Sequence, residues 1–165
     1  MRTQRNDGRS FEKAIETING QYERQGRATI SKVAPPVRIL GWGANQKVIF
    51  LENPFVDFTG TWTEQGGRAL HFEAKSTTKP VLPINDSQLK PTQIEAMRRW
   101  RAAGAATFLL WEINGLVVFF TLAMIDAGAG SRRSLLFEDG HEVKPGTGFI
   151  FNDYLTTAAR FKDYL

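Results

Sequence analysis

Two apolar runs, residues 105–111 and 116–123, flank Asn114-Gly115, and they limit the possible folds more than any other feature of the chain. Both runs are too short to cross a bilayer and suit buried strands. Asn-Gly accepts positive φ at both turn positions, so the runs predict a two-stranded hairpin. Elsewhere the apolar spacing becomes helical. Phe11, Ala14, Ile15, Ile18 and Tyr22 make one stripe across residues 8–25, and Gly26 stops it. Pro91 starts a helix reaching residue 103, with Ile94, Met97 and Trp100 on its core face. Strands are predicted at 28–32, 55–62, 68–76 and 134–137, loops at 80–83 and 128–131, and a last helix from about residue 152. Helices and strands in this order describe an α/β fold with a mixed central sheet flanked by helices. The 165 residues suffice for a single domain.

Two segments stand apart from that domain. Residues 1–7 read as a flexible basic arm. Residues 37–51 read as a projecting β-hairpin, with extended pieces at 37–40 and 47–51 around Gly41-Trp42-Gly43-Ala44-Asn45.

Composition narrows the chemistry. There are no cysteines, which excludes disulfides, thiolate metal sites and cysteine nucleophiles. Only two histidines are present, so a metal would be held by carboxylates, and that favours Mg2+, with Mn2+ as a substitute. The formal charge is +4, with cations crowding the first third of the chain and a second cluster at Arg98, Arg99 and Arg101. That distribution suits a polyanionic partner. No apolar h-region opens the chain, and no stretch is of membrane-spanning length, so a cytoplasmic protein with no membrane association is expected.

The chemistry concentrates in Phe55-Val56-Asp57-Phe58-Thr59-Gly60-Thr61-Trp62 and Leu70-His71-Phe72-Glu73-Ala74-Lys75. Strand side chains alternate faces, so Glu73 and Lys75 share one face and Leu70, Phe72 and Ala74 the other. On the preceding strand Asp57 and Thr59 point one way, and Val56, Phe58 and Trp62 the other. Burying the apolar faces together brings Asp57 beside Glu73 and Lys75. Two such carboxylates, helped by the Ala74 carbonyl, can bind a divalent cation that polarises a phosphodiester and acidifies a water. A neighbouring lysine can orient that water or offset transition-state charge.

These segments, taken in order, resemble the RecU-type Holliday junction resolvases, a branch of the PD-(D/E)XK nucleases. Asn6-Asp7-Gly8-Arg9-Ser10-Phe11-Glu12, with Asn19 and Tyr22, resembles the first helix of that family. Gly26-Arg27-Ala28-Thr29-Ile30-Ser31-Lys32 and Pro35-Pro36 resemble its next strand. Asp57 with Gly60, Phe72-Glu73-Ala74-Lys75, and Gln93-Ile94 with Met97 resemble its later motifs. Asn53-Pro54-Phe55-Val56 departs from the polar, threonine-containing run usual before the aspartate, and the resemblance fades beyond Ala127.

The resemblance implies a restriction-endonuclease-like fold with a β-hairpin stalk. It also implies a metal-dependent endodeoxyribonuclease that resolves four-way junctions. The two-fold geometry of such a junction suits a homodimer, with Phe119 or Phe120 as candidates for its apolar surface. The compact length points to a phage-encoded or minimal version. By the same resemblance Asp57 and Glu73 are metal ligands, Lys75 is the catalytic lysine, Glu12 reaches the metal directly or through water, and Gln93 lies near the scissile phosphate or orients the lysine. Arg2, Arg5, Arg9, Lys32, Arg38 and Lys47 are candidate phosphate contacts, and Trp42 a face on which an exposed base can stack. Two other functions fit the same residues: a duplex, flap or restriction-type endonuclease, and a DNA-binding module with an inactive core.

Overall fold

The computed structural model describes residues 9–50, 56–147 and 150–165. The basic arm with Arg2 and Arg5, and the end of the hairpin beyond residue 50, lie outside the described residues. The elements are α1 (Arg9–Arg24), β1 (Thr29–Lys32), β2 (Val37–Leu40), β3 (Lys47–Phe50), β4 (Phe58–Trp62), β5 (Arg68–Ser76), β6 (Val81–Pro83), α2 (Pro91–Ala102), β7 (Ala106–Ile113), β8 (Leu116–Thr121), α3 (Leu122–Ser131), β9 (Ser134–Leu136), β10 (His141–Glu142) and α4 (Tyr154–Ala159). The main sheet runs β1-β4-β5-β7-β8-β10. β5 and β7 pair in parallel across α2, and the other neighbours are antiparallel. Among the described residues no helix is long and apolar enough to cross a membrane.

Strand alternation divides the core into two layers. Phe58, Trp62, Leu70, Phe72, Ala74, Phe108 and Leu110 pack with α1 and α4. Leu109, Trp111, Val118 and Phe120 pack with α2 and α3 on the other face. Four aromatic rings cross the first layer from strand to strand: Phe58 to Phe72 at 4.9 Å between centroids, Phe72 to Phe108 at 4.8 Å and Phe108 to Phe119 at 4.7 Å. Each such pair adds about 0.5–1.5 kcal/mol beyond its burial. A slip of one residue would turn this ladder to the other face, so the rings lock the β4–β5 register.

Helix α1 buries Phe11, Ile15, Ile18 and Tyr22 of the predicted stripe, leaves Ala14 exposed and adds Asn19. The Tyr154 hydroxyl donates to Asn19 Oδ1 at 2.5 Å, and the Tyr22 hydroxyl donates to Asp153 Oδ1 at 2.9 Å. Asn19 and Tyr22 thus tie α1 to α4, far along the chain. The Asn114-Gly115 turn has φ of 52° and 85°, as a hairpin of this type needs.

Four expectations are corrected. The strand predicted over 116–123 ends at Thr121, and α3 occupies 122–131, taking in the loop predicted at 128–131. Thr121 is the switch: its hydroxyl accepts from the Met124 N–H at 3.3 Å, capping the helix. The segment at Pro80 to Pro83 contains β6, which pairs with β9. Val56 packs in the α2–α3 layer and not beside Phe58, because β4 begins at Phe58 and the chain bends at Asp57. Phe119 and Phe120 are both buried in the monomer, one in each layer, so neither can form a dimer surface.

Gly60 is required by space. A Cβ there would lie 2.2 Å from the Thr29 carbonyl oxygen and 2.7 Å from Ile30 Cα, both in β1. Gly60→Ala must push β1 away from β4, and overpacking of that kind costs about 1–3 kcal/mol. Denaturant unfolding should show a lower midpoint with an unchanged slope. An unchanged midpoint would mean that the two strands part without cost.

Candidate active site

β5 sends Leu70, Phe72 and Ala74 into the α1 layer and turns Glu73 and Lys75 to the α2 side. β4 pairs with β5 up to Phe58 opposite Phe72, so Asp57, one residue before Phe58, stands level with Glu73. Asp57 Oδ2 accepts from the Ala74 N–H at 3.0 Å. The N–H and C=O of one strand residue point to the same neighbour, so the Ala74 carbonyl is also turned toward Asp57. The aromatic ladder on one face therefore sets the distance between carboxylates on the other.

Glu73 is 0% exposed. Its Oε1 accepts from Lys75 Nζ at 2.5 Å and from Gln93 Nε2 at 2.7 Å. Its Oε2 is buried and has no hydrogen-bond partner. Burial first, and then the nearby negative charge of Asp57, push the Glu73 carboxyl up to about 8, against the opposing pull of Lys75. An orphaned buried carboxylate oxygen facing a second carboxylate fits a divalent cation. Among the described residues there is no cluster of three or more Asp, Glu, His or Cys side chains. The groups here that could hold a cation are Asp57, Glu73 and the Ala74 carbonyl. That is compatible with Mg2+, which retains waters and takes only one or two carboxylates.

Gln93 joins the site through Glu73, and α2 orients it. The Lys90 backbone N–H donates to Gln93 Oε1 at 3.1 Å, which turns the amide nitrogen toward Glu73. A capping search keyed to Ser or Thr misses this arrangement, because the residue before Pro91 is a lysine and contributes its backbone. His71, two residues before Glu73 on the same face, also escaped the sequence analysis. It stacks on Trp100 at 4.3 Å, and Thr59 Oγ1 lies 2.9 Å from its Nδ1. Its partners come from β4 and α2, and nothing local announces them.

Glu12 is held at the border of the site, since Val33, next to its partner Lys32, donates its N–H to the Asp57 carbonyl at 2.7 Å. Lys32 Nζ lies 2.6 Å from Glu12 Oε2, joining α1 to the end of β1. Lys32 is in turn raised above its ordinary value, chiefly by that bond. Arg9 is exposed at the start of α1, and Arg38 and Lys47 are exposed on the β2–β3 hairpin. Trp42 is 93% exposed at the hairpin tip.

Asp57 at the mouth of β4, level with Glu73-Ala74-Lys75 on β5, is the arrangement that the resemblance to the PD-(D/E)XK nucleases leads one to expect. The chain belongs to the RecU family: the family model for Recombination protein U matches residues 6–129. Its relatives include the Holliday junction resolvase RecU of Streptococcus pneumoniae strain Hungary19A-6, 29% identical over 129 residues, which are 73% of this chain and 63% of that protein. The RecU of strain CGSP14 is 28% identical over 158 residues, covering 86% of this chain and 77% of the relative. Among solved structures, Hjc of Archaeoglobus fulgidus, a Holliday junction resolvase, aligns with a TM-score of 0.47 and 16% identity, over 79% of this chain and 93% of Hjc.

Proposed function

We propose that this protein is a metal-dependent endodeoxyribonuclease that resolves four-way DNA junctions by paired nicking, as a homodimer with Mg2+ and with Mn2+ able to substitute. The observation that carries the chemistry is the buried, unpartnered Oε2 of Glu73 opposite Asp57. Family membership supports the substrate, since the S. pneumoniae relatives are named junction resolvases.

Asp57, Glu73 and the Ala74 carbonyl are the groups that would hold the cation, with Glu12 contributing through water once released from Lys32. A bound cation supplies Lewis-acid polarisation of the phosphate and acidification of a water. Lys75 holds its ammonium on Glu73, where it orients the attacking water and offsets charge on the phosphoryl oxygens. Gln93 keeps Glu73 in one rotamer, with its own amide fixed by the Lys90 N–H. Arg9, Arg38 and Lys47, together with Arg2 and Arg5, provide phosphate contacts. The exposed Trp42 ring offers a stacking face at the tip of the stalk, which by family resemblance enters the junction. Two active sites related by a two-fold axis match the symmetry of a four-way junction.

The test is cleavage of a synthetic four-way junction beside linear duplex and flap DNA, each with and without divalent metal. The expected result is paired nicks in the junction alone, only with Mg2+ or Mn2+. Equal rates on all three substrates would identify a general endonuclease.

A further inference from the structure

The sheet face that carries Asp57 and Glu73 continues past them as an uncovered polar shelf. The registers place Ser31 opposite Thr59, Thr59 opposite His71, and Thr29 opposite Thr61. All of these side chains lie on the face of Glu73, since strand residues two apart share a side. The reverse face of the same strands is buried: Ala28, Ile30, Phe58 and Trp62 pack under α1. On the shelf side the helical cover reaches only as far as Trp100 of α2, whose ring stacks on His71. Beyond that wall, among the described residues, β1 and β4 carry no further helix on this side, with Thr29, Ser31 and Thr61 exposed and Thr59 and His71 half-buried.

Position for position, the shelf is a hydroxyl surface joined by His71 and by exposed Ala69 opposite Thr61. The shelf has hydroxyls at four positions and no carboxylate beyond Asp57 at its end. Hydroxyls donate to phosphate oxygens and accept from sugar hydroxyls without fixing sequence. Exposed Arg99 neighbours Trp100 in sequence on α2. From Asp57 to Thr61 the strand covers about 13 Å, roughly the axial rise of four nucleotides.

We propose that Thr29, Ser31, Thr59 and Thr61, beside His71, form a positioning track for the sugar–phosphate backbone of the DNA strand that enters the Asp57–Glu73 site. The proposal rests on the nuclease function above. It adds a contact surface on the sheet, separate from the stalk and the basic arm.

Opposite charges at one shelf position provide the test. Thr61 lies four residues from Asp57, so Thr61→Glu and Thr61→Lys leave the carboxylate pair untouched. Binding of a labelled four-way junction is measured without divalent metal across a salt series, and nicking is measured with Mg2+. Thr61→Glu should weaken binding at least about fivefold, through repulsion from the phosphates. Thr61→Lys should tighten it and steepen the slope of log K against log salt by about one. A role confined to folding would move both variants the same way. Thermal unfolding monitors the fold, and if either β4 variant is unstable, Ser31→Glu and Ser31→Lys on the edge strand β1 replace the pair. Wild-type affinity and salt slope in both variants, with a wild-type enzyme that binds and cuts the junction, would remove the shelf and leave the nuclease standing. A wild-type protein that neither binds nor cuts junction, duplex or flap DNA would overturn the nuclease assignment, and the shelf with it.

Discussion

Asp57→Asn should reduce junction cleavage by roughly 10³-fold, the scale seen when a group that stabilises transition-state charge is removed. Junction affinity should stay within about twofold, because Asp57 makes no phosphate contact of its own and the phosphate contacts lie elsewhere. The substitution is mild for the fold. The asparagine Oδ1 can still accept the Ala74 N–H that Asp57 Oδ2 accepts. It also removes the negative charge that faces the buried Glu73. Metal-free thermal stability near neutral pH should therefore be retained or raised while activity collapses. That pairing separates a metal ligand from a structural carboxylate, whose loss would lower both. If wild type and variant both bind the junction alike and both leave it uncut with Mg2+ present, the protein is a DNA-binding module. Lys75→Ala should also abolish cleavage, but it removes a donor from buried Glu73, so its stability cost makes it the less discriminating variant.

The site was legible in the sequence because its determinants are local. Alternation along Phe72-Glu73-Ala74-Lys75 fixes which side chains share a face, and the short connection between the strands predicted at 55–62 and 68–76 fixes which strand lies next to it. The Phe58–Phe72 pairing then brings Asp57 level with Glu73. Gly60 was noticed only as part of a motif, and its physical reason, the approach of β1, appears once the sheet is assembled. The errors fall where tertiary context decides. Residues 116–123 read as one strand because no charge, Gly or Pro interrupts them, and a single hydroxyl at Thr121 turns the chain into a helix rich in alanine and glycine. Val56 was assigned by alternation to the side of Phe58, but the bend at Asp57 breaks the period. Phe119 and Phe120 point to opposite faces, and a dimer role for either assumed that one face was open.

The second large effect concerns protons on Glu73. In the metal-free protein its carboxyl is raised to about 8, first by burial and then by Asp57. The folded state therefore holds this proton more tightly than the unfolded chain does. By linkage the resulting stability is complete below the ordinary carboxylate range and is lost as pH rises through about 8. His71 and His141 are both lowered, chiefly by burial, and so contribute an opposite slope at lower pH. The informative quantity is thus the difference between wild type and Glu73→Gln, which cancels the histidines. Between about pH 5 and 9, wild type should lose at least about 3 °C of Tm relative to the variant, the shift that about 1 kcal/mol produces in a domain of this size. Divalent metal reverses the sign, because a ligating carboxylate must be deprotonated. Mg2+ affinity should rise with pH up to about 8 and then level off, with about one proton released per ion bound below that pH. Titration calorimetry in buffers of different ionisation enthalpy counts that proton directly. A wild-type Tm profile parallel to that of Glu73→Gln, with no proton released, would show that Glu73 is already ionised before metal arrives. The charge between it and Asp57 would then have to be balanced by Lys75 alone.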